Sequence, residues 1–224
     1  MLNKRGGYEA DVTVTRTGMN EFFIVSSTAQ ATKDCHRLTN SEFYKREGGV
    51  YVSDVTSMYT TLSVMGPKSR ETLQSLSTCS FANEDFEFGT SKAVDIGLYN
   101  VTAKRVTYVG ELGWELYIPV ESSRGVYDTL FKGGEEIVDV GYYAIEAMRL
   151  EKGYRALGHE LDSEVTPKMS GLLFAVDGEK ESFVGKDCYT EGRGERLFNF
   201  RTKGGDGEAD LMLWGGEIVC VDGV

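Results

Sequence analysis

Short stretches in which apolar and polar residues alternate run through most of the chain, and such alternation is typical of strands with one buried face. Residues 8–16 alternate, residues 21–26 are rich in aromatic and β-branched side chains, and residues 18–20 supply a turn between them. We therefore predict a hairpin near the amino terminus. By the same criteria we predict five further strands, at residues 50–55, 59–65, 92–96, 101–108 and 114–119.

Apolar residues with helical spacing lie between these strands. The clearest helix is predicted at residues 142–157, where Ile145 and Met148 are separated from the charged Arg149 and Lys152. Because strands and helices do not alternate strictly, the pattern favours an α+β fold with antiparallel sheets. Three further helices are predicted, at residues 28–38, 68–76 and 122–138.

The amino-acid composition changes after Pro167, where Gly, Asp and Glu become frequent. We predict a domain boundary near residues 184–190, with residues 1–187 in one domain and residues 188–224 in another. The strands predicted in this part of the chain are too few for a complete β-barrel, so a truncated second domain is expected. These strands are at residues 172–176, 196–200 and 217–221.

Composition narrows the classes of function. The formal net charge of -11 disfavours binding to nucleic acid or to an anionic membrane surface. The chain has no apolar run long enough to span a membrane. Its four cysteines form no CxxC pair and it has two histidines, so no metal site is expected and the cysteines are predicted to be reduced thiols. No GxGxxG or GxxxxGK[ST] motif occurs, so a nicotinamide- or flavin-binding Rossmann unit is not expected in this chain.

Two segments contain candidate site residues. In the first strand, Asp11 is placed to accept a proton in a cleft, although the pattern alone favours a solvent-facing strand Asp. In the segment YVGELGWEL, Tyr108 and Glu115 are placed to flank one cleft at the mouth of a hairpin. A carboxylate pairs well with two parallel N–H donors. The alternative is a plain hairpin with Trp114 in the core.

A third segment, AMRLEKGYRALGHEL, carries Arg149, Lys152 and Arg155, which are able to form a basic face for an acidic ligand. The alternative is ion pairing within the helix, for example between Glu146 and Arg149. His159 follows Gly158 at a predicted helix end and is interpreted as a polar cap.

Taken in order, MLNKRGGYEADVTV, YVGELGWELYIP, and GYYAIEAMRLEKGYRALGHEL followed by TPKMSGL resemble the glycine cleavage T-protein family. This family includes the carboxy-terminal halves of sarcosine and dimethylglycine dehydrogenases. The resemblance implies ferredoxin-like antiparallel sheets and a β-barrel around a central folate cavity. It also implies that the chain lacks an amino-terminal segment of the family and ends within the barrel, whose early strands DLMLWGGEIVCVDG resembles.

By this resemblance Asp11 is the catalytic acid beside the reactive folate nitrogens, and Thr13 lines the same site. Tyr108 contacts the folate, Glu115 grips its pterin ring, and Trp114 belongs to the same cofactor-binding motif. The implied function is a tetrahydrofolate-binding module that captures the carbon released by amine demethylation as methylene-tetrahydrofolate. The parent protein is then expected to act on a small N-methyl amine with FAD, which a separate flavin domain binds. Its expected location is the mitochondrial matrix or the cytoplasm.

Two alternatives stay open. The first is a glycine cleavage aminomethyltransferase with a lipoyl carrier protein as partner, which the resemblance makes less fitting because Ala10 and Ile145 replace an acid and an arginine. The second is a non-catalytic subunit that resembles the regulator of pyruvate dehydrogenase phosphatase.

Overall fold

A computed structural model describes residues 1–41, 49–133, 137–191, 194–201 and 216–220. Across these residues the protein forms one two-stranded and one four-stranded antiparallel sheet, together with four α-helices. The prediction of an α+β fold with antiparallel sheets is therefore confirmed. No helix in the described part of the chain is both long and apolar enough to cross a membrane.

The predicted amino-terminal hairpin is present. Strand β1 (Val12–Arg16) pairs with strand β2 (Phe22–Ser26), and the amide of Thr17 donates to the Glu21 carbonyl at the turn. The strand begins later than predicted because residues 1–10 have other partners, including a hydrogen bond from the Tyr8 amide to the Asp162 carbonyl. A short 3₁₀ turn then leads into helix α1 (Ala31–Thr39).

The four-stranded sheet forms the centre of the molecule, with its strands in the order β3-β6-β5-β4. The element order β3-α2-β4-β5-β6-α3 places three consecutive strands before the second helix, whereas a ferredoxin-like unit has two. Helix α4 follows. The elements are β3 (Tyr59–Met65), α2 (Ser69–Ser75), β4 (Ser91–Ile96), β5 (Tyr99–Lys104), β6 (Gly113–Pro119), α3 (Ser123–Gly133) and α4 (Tyr142–Glu151).

One face of this sheet forms the hydrophobic core with α2 and α3. Trp114, Leu116 and Ile118 alternate along β6 and are completely buried, as strand geometry requires of residues on one face. Leu73 of α2 and Val126 of α3 close the core from the helix side. Burying these side chains supplies the main driving force for this part of the fold.

The opposite face of the sheet is more polar and lies under the amino-terminal hairpin. The ring of Phe23 on β2 makes edge-to-face contacts with Tyr59 and Tyr117, with centroid distances of 5.5 and 5.4 Å. The hairpin therefore covers this face only in part, through one aromatic anchor, and leaves polar side chains of β5 and β6 beneath it.

Several predicted elements are wrong. Residues 50–55 form no strand, because this mostly exposed segment has no strand beside it among the described residues. Helix α4 ends at Glu151 rather than at residue 157, since Gly153 adopts a left-handed φ of 69° and the following amides turn back onto the helix end. Strand β5 ends at Lys104, so Tyr108 lies in a loop. Helix α3 ends at Gly133, and residues 134–136 of the predicted helix lie outside the described residues.

The strands predicted near the carboxyl end are also not formed. Within residues 172–176 the chain makes a 3₁₀ turn, Leu173–Ala175, because local i to i+3 hydrogen bonds satisfy its backbone. Residues 196–200 and 217–220 are not strands, and Val221 lies outside the described residues. Most of the segment DLMLWGGEIVCVDG is likewise outside them, so the start of a β-barrel stays a prediction.

The glycine pair that precedes β1 has a packing role. Gly6 has a φ of 81°, and a Cβ there would lie 2.6 Å from the Cys188 carbonyl carbon. A Cβ on Gly7 would lie 2.1 Å from the Ser163 carbonyl oxygen. Only glycine permits backbone contacts this close. They hold the amino-terminal segment against residues 163 and 185–188.

Candidate functional site

The candidate site is the polar face of the four-stranded sheet, where Glu115 lies on β6. Its carboxylate accepts a hydrogen bond from the hydroxyl of Tyr117, two residues further along the same strand face. Tyr117 is 3% exposed. Burial, followed by the hydrogen bond to the Glu115 carboxylate, raises the pKa of Tyr117 far above its ordinary value, so its hydroxyl keeps its proton and donates. Tyr117 thereby fixes the position of the Glu115 carboxylate.

Lys104 is the direct cross-strand partner of Glu115 on β5. The side chain is 2% exposed, and its Nζ lies 5.0 Å from the centroid of the Tyr117 ring. Among the described residues Nζ has no hydrogen-bond partner. Burial lowers the pKa of Lys104, and the nearby Glu115 carboxylate opposes that shift. An acid and a base are therefore held side by side without a direct hydrogen bond between them.

A cavity of about 140 Å³ lies between the hairpin and this face of the sheet. Lys104 and Tyr117 belong to its lining. Glu115 does not line the cavity, but its carboxylate accepts the hydrogen bond from the Tyr117 hydroxyl and lies on the same strand face. The surrounding side chains combine aromatic rings with hydroxyl groups, a mixture typical of sites that orient a flat, polar ligand. Other lining residues are Thr15, Phe23, Tyr59 and Thr102.

Asp11 and Thr13 are near this region but do not line the cavity. Thr13 lies two residues before Thr15 on β1 and so shares the strand face that borders the cavity. Asp11 immediately precedes the strand and is exposed, roughly 13 Å along the chain from Thr15 at strand spacing. Among the described residues its carboxylate makes no hydrogen bond. The structure thus gives no contact between Asp11 and Glu115.

Within the chain, Tyr108 contacts helix α4. Its hydroxyl donates to Oε1 of Glu146 on α4 over 3.2 Å, and the side chain is 39% exposed. Burial and the Glu146 carboxylate raise the pKa of Tyr108. The loop that carries it is also tied to α4 by an ion pair of 2.9 Å between Lys152 and Glu111. Tyr108 on the β5–β6 connection and Glu115 on β6 therefore make separate contacts.

Trp114, which the sequence places in the cofactor-binding motif, points into the core. It is completely buried, with edge-to-face contacts to Phe81 and Phe86 at centroid distances of 5.2 and 5.9 Å. The guanidinium groups of Arg70 and Arg105 lie over its ring. Because alternate residues of a strand face opposite sides, Trp114 and Glu115 cannot both reach the cavity. In this arrangement Trp114 supports the site from below and offers no surface to a ligand.

The basic side chains near α4 do not form an open cationic face. Arg149 is 1% exposed, and its guanidinium donates to the carboxylates of Glu146 and Glu160 and to the Tyr154 carbonyl. The predicted pairing of Glu146 with Arg149 is confirmed. Arg155 donates to the Gly153 carbonyl. These groups stabilise the turn that follows α4.

Sequence reasoning missed Lys104 and Tyr117. Tyr117 was accessible from alternation, because it follows Glu115 by two residues in a predicted strand. Lys104 could be recognised only from the register of β5 against β6, which pairs it with Glu115.

Comparison with known proteins identifies the family. The family model described as the GCVT N-terminal domain matches residues 1–180. The chain belongs to this family. A crystal structure of glycine cleavage system aminomethyltransferase T from Bartonella henselae has a similar fold, with a TM-score of 0.69 and 25% sequence identity. That match covers 84% of this chain and 50% of the other.

Two curated relatives indicate the range of proteins in which this domain occurs. The mitochondrial dimethylglycine dehydrogenase of Mus musculus is 34% identical over 225 residues, which cover 96% of this chain and 26% of that protein. The mitochondrial pyruvate dehydrogenase phosphatase regulatory subunit of Mus musculus is 32% identical over 231 residues, which cover 100% of this chain and 26% of that protein. The chain therefore spans about a quarter of the length of these relatives.

Proposed function

We propose that this chain is the tetrahydrofolate-binding one-carbon transfer module of a sarcosine- or dimethylglycine-dehydrogenase-like protein. In this role it captures the carbon released by amine demethylation as methylene-tetrahydrofolate. The observation that carries the proposal is the Glu115 carboxylate, positioned by Tyr117 beside a cavity with aromatic walls. Membership of the GCVT family and similarity to dimethylglycine dehydrogenase support it.

The described residues fit a reduced folate. A cavity of about 140 Å³ is smaller than the roughly 300–1,000 Å³ typical of sites for whole drug-sized ligands, so it suits one ring system of a larger molecule. The Glu115 carboxylate is suited to the amino and ring N–H groups of a pterin. Phe23, Tyr59 and Tyr117 offer apolar ring surfaces to the flat ring.

Tetrahydrofolate, when bound, would supply two nitrogens that take up a carbon at the oxidation level of formaldehyde. We assign to Glu115 the orientation of the pterin ring and to Asp11 the movement of a proton at the attacking nitrogen. Asp11 is exposed ahead of β1, with Thr13 between it and the cavity edge. Tyr108 is assigned a contact beside the folate at the β5–β6 connection, where Glu146 orients its hydroxyl.

The parent protein is proposed to contain a separate FAD domain that oxidises a small N-methyl amine. The chain's coverage of 26% of dimethylglycine dehydrogenase supports this arrangement. The mitochondrial names of the relatives support a location in the matrix. Residues 1–187 are proposed as the folate-binding domain and residues 188–224 as the start of a β-barrel domain. The end of the family match at residue 180 is compatible with that boundary.

A second candidate function is that of a non-catalytic regulatory subunit. The 32% identity to the phosphatase regulatory subunit over the whole chain favours it. In that case the fold would serve as a binding surface for a partner protein. An aminomethyltransferase with a lipoyl carrier partner is the third possibility in the family. Binding of tetrahydrofolate would distinguish the two catalytic roles from the regulatory role. Ammonia release from an aminomethylated lipoyl carrier would distinguish the aminomethyltransferase from the dehydrogenase-like module.

The proposal is tested by anaerobic calorimetric titration of tetrahydrofolate into the wild-type chain, Glu115→Ala and Asp11→Asn. We expect Glu115→Ala to weaken binding by about 10- to 100-fold, the loss expected for hydrogen bonds to a charged group. We expect Asp11→Asn to bind normally, because its role is in proton transfer. In the intact flavin-containing protein the same variant is expected to lower the yield of methylene-tetrahydrofolate.

Glu111→Ala is the matched control, because Glu111 lies on the β5–β6 connection, four residues before Glu115, and pairs with Lys152. It is expected to bind tetrahydrofolate as the wild type does. Equal affinities for the wild type, Glu115→Ala and Glu111→Ala would refute the assignment of Glu115. The absence of any binding to the wild type would refute the folate function and favour the regulatory subunit.

A further inference from the structure

Lys104 is a buried cation whose burial is not explained by its contacts with the described residues. It is 2% exposed, and among the described residues its Nζ has no hydrogen-bond partner. Burying an ammonium group without a hydrogen bond is strongly unfavourable. The Tyr117 ring, 5.0 Å from Nζ, offsets this cost only in part. A cation in this position is typical of a site that is completed by a ligand.

Lys104 and Glu115 face each other across β5 and β6. Cross-strand partners leave the same face of a sheet with their Cβ atoms about 5 Å apart. The two side chains do not hydrogen-bond to each other, since Glu115 accepts from Tyr117 and Nζ has no partner in the described part of the chain. They therefore offer an acceptor and a donor, side by side, next to the cavity.

This donor–acceptor pair complements a particular type of ring edge. A 2-amino-4-oxo pyrimidine edge, as in a pterin, presents two N–H donors followed by a carbonyl acceptor. The Glu115 carboxylate is suited to the two donors, which leaves the carbonyl oxygen towards the strand that carries Lys104. An ammonium group that donates there would gain the hydrogen bond that it does not make with any described residue.

We propose that Lys104 recognises the 4-oxo group of the bound pterin and so contributes to the preference of this site for 4-oxo over 4-amino pterins. The inference rests on the proposed folate function and extends it to ligand specificity. A 4-amino group presents N–H donors where the 4-oxo group presents an acceptor. It would therefore leave the Lys104 ammonium without an acceptor, and a site with an unpaired buried polar group rejects such an analogue.

The test compares tetrahydrofolate with tetrahydroaminopterin, its 4-amino analogue, by anaerobic calorimetry on the full chain. Wild type, Lys104→Met and Lys104→Arg are titrated with both. We expect the wild type to prefer tetrahydrofolate and Lys104→Met to lose about tenfold or more of that preference, as for one charge-assisted hydrogen bond. Lys104→Arg keeps a donor and is expected to retain part of the preference.

Lys92→Met is the matched control. Lys92 also lies over an aromatic ring, with its Nζ 5.1 Å from the centroid of Phe86, but it is exposed and sits on the other face of the sheet. This variant is expected to keep the wild-type preference. The melting temperature of Lys104→Met is expected not to fall, because the substitution removes an unpaired buried charge. A lost preference in that variant therefore reports on recognition and not on unfolding.

The outcomes separate this inference from the proposed function. If the wild type binds tetrahydrofolate through Glu115 but Lys104→Met leaves the preference unchanged, the role of Lys104 is wrong and the folate function stands. Equal binding of both ligands by the wild type would also overturn the inference. If the wild type binds neither ligand, the folate function fails and the inference fails with it.

Discussion

Replacing Arg149 by methionine is expected to destabilise the fold strongly, because Arg149 is buried between two acids. Its guanidinium donates through Nε to Glu146 over 2.9 Å, and through Nη1 to Glu160 over 2.7 Å and to the Tyr154 carbonyl over 2.9 Å. Removing one partner of a buried ion pair typically costs about 3–5 kcal/mol. Glu146 and Glu160 are 15% and 23% exposed, so water can partly replace the lost partner. We therefore expect about 3 kcal/mol, the lower end of that range.

In a chain of this size that loss corresponds to a fall in melting temperature of about 6–12 °C. Arg149→Lys keeps the charge but not the fork of donors and is expected to lose less. The effect also depends on pH. The hydrogen bond from Arg149 lowers the pKa of Glu146 below its ordinary value of 4.5. Its contribution is therefore present above pH 4.5 and is lost as the pH falls through the lowered pKa.

Urea unfolding followed by far-ultraviolet circular dichroism, at neutral pH and near pH 3, measures both effects. The difference in free energy of unfolding between the wild type and Arg149→Met is expected to be largest at neutral pH and to narrow in acid. A loss below about 1 kcal/mol at neutral pH, as for an exposed pair, would refute the reasoning.

Three further predictions concern other parts of the fold. Trp114→Phe is expected to cost roughly 1–2 kcal/mol in urea unfolding while the calorimetric affinity for tetrahydrofolate stays unchanged, since the indole lies in the core; a loss of affinity without a loss of stability would contradict this. Gly110→Ala is expected to cost about 1–3 kcal/mol in the same unfolding assay, because φ there is 74° and a Cβ would lie 2.5 Å from Cγ of Lys152; an unchanged stability would exclude strain. The backbone amide and then the hydroxyl of Thr78 donate hydrogen bonds to the Asp95 carboxylate and hold its pKa well below its ordinary value of 3.8. Asp95→Asn is therefore expected to lower the melting temperature at neutral pH. By calorimetric scanning that difference should vanish in strong acid, as the pH falls through the lowered pKa, and a difference independent of pH would contradict the assignment.

Each strand that the sequence predicts correctly pairs with a neighbouring strand. In β6, Trp114, Leu116 and Ile118 alternate with Glu115 and Tyr117, and this alternation reflects the core on one side and the cavity on the other. The prediction fails at residues 50–55 because alternation alone does not supply a neighbouring strand. It also overextends α4, whose end depends on the backbone conformation of Gly153.

The candidate site could be predicted only where a residue belongs to a recognisable sequence motif. Glu115 is such a residue, because it lies in the segment YVGELGWEL. Lys104 does not, because its burial and its position opposite Glu115 result from strand pairing between β5 and β6. The partner of Tyr108 depends on the packing of the loop that follows β5 against α4, a tertiary contact that no local pattern encodes. Trp114 belongs to the same motif as Glu115, but its side chain is buried in the core.

The most direct test of the folate site is diffraction from crystals of the chain grown with 5-formyltetrahydrofolate, a reduced folate that resists air oxidation. We expect the pterin ring between the hairpin and the polar face of the sheet, with the Glu115 carboxylate and the Lys104 Nζ within hydrogen-bond distance of its edge. A pterin bound elsewhere, for example in the cavity of about 270 Å³ lined by Tyr154 and Phe198, would contradict the assignment.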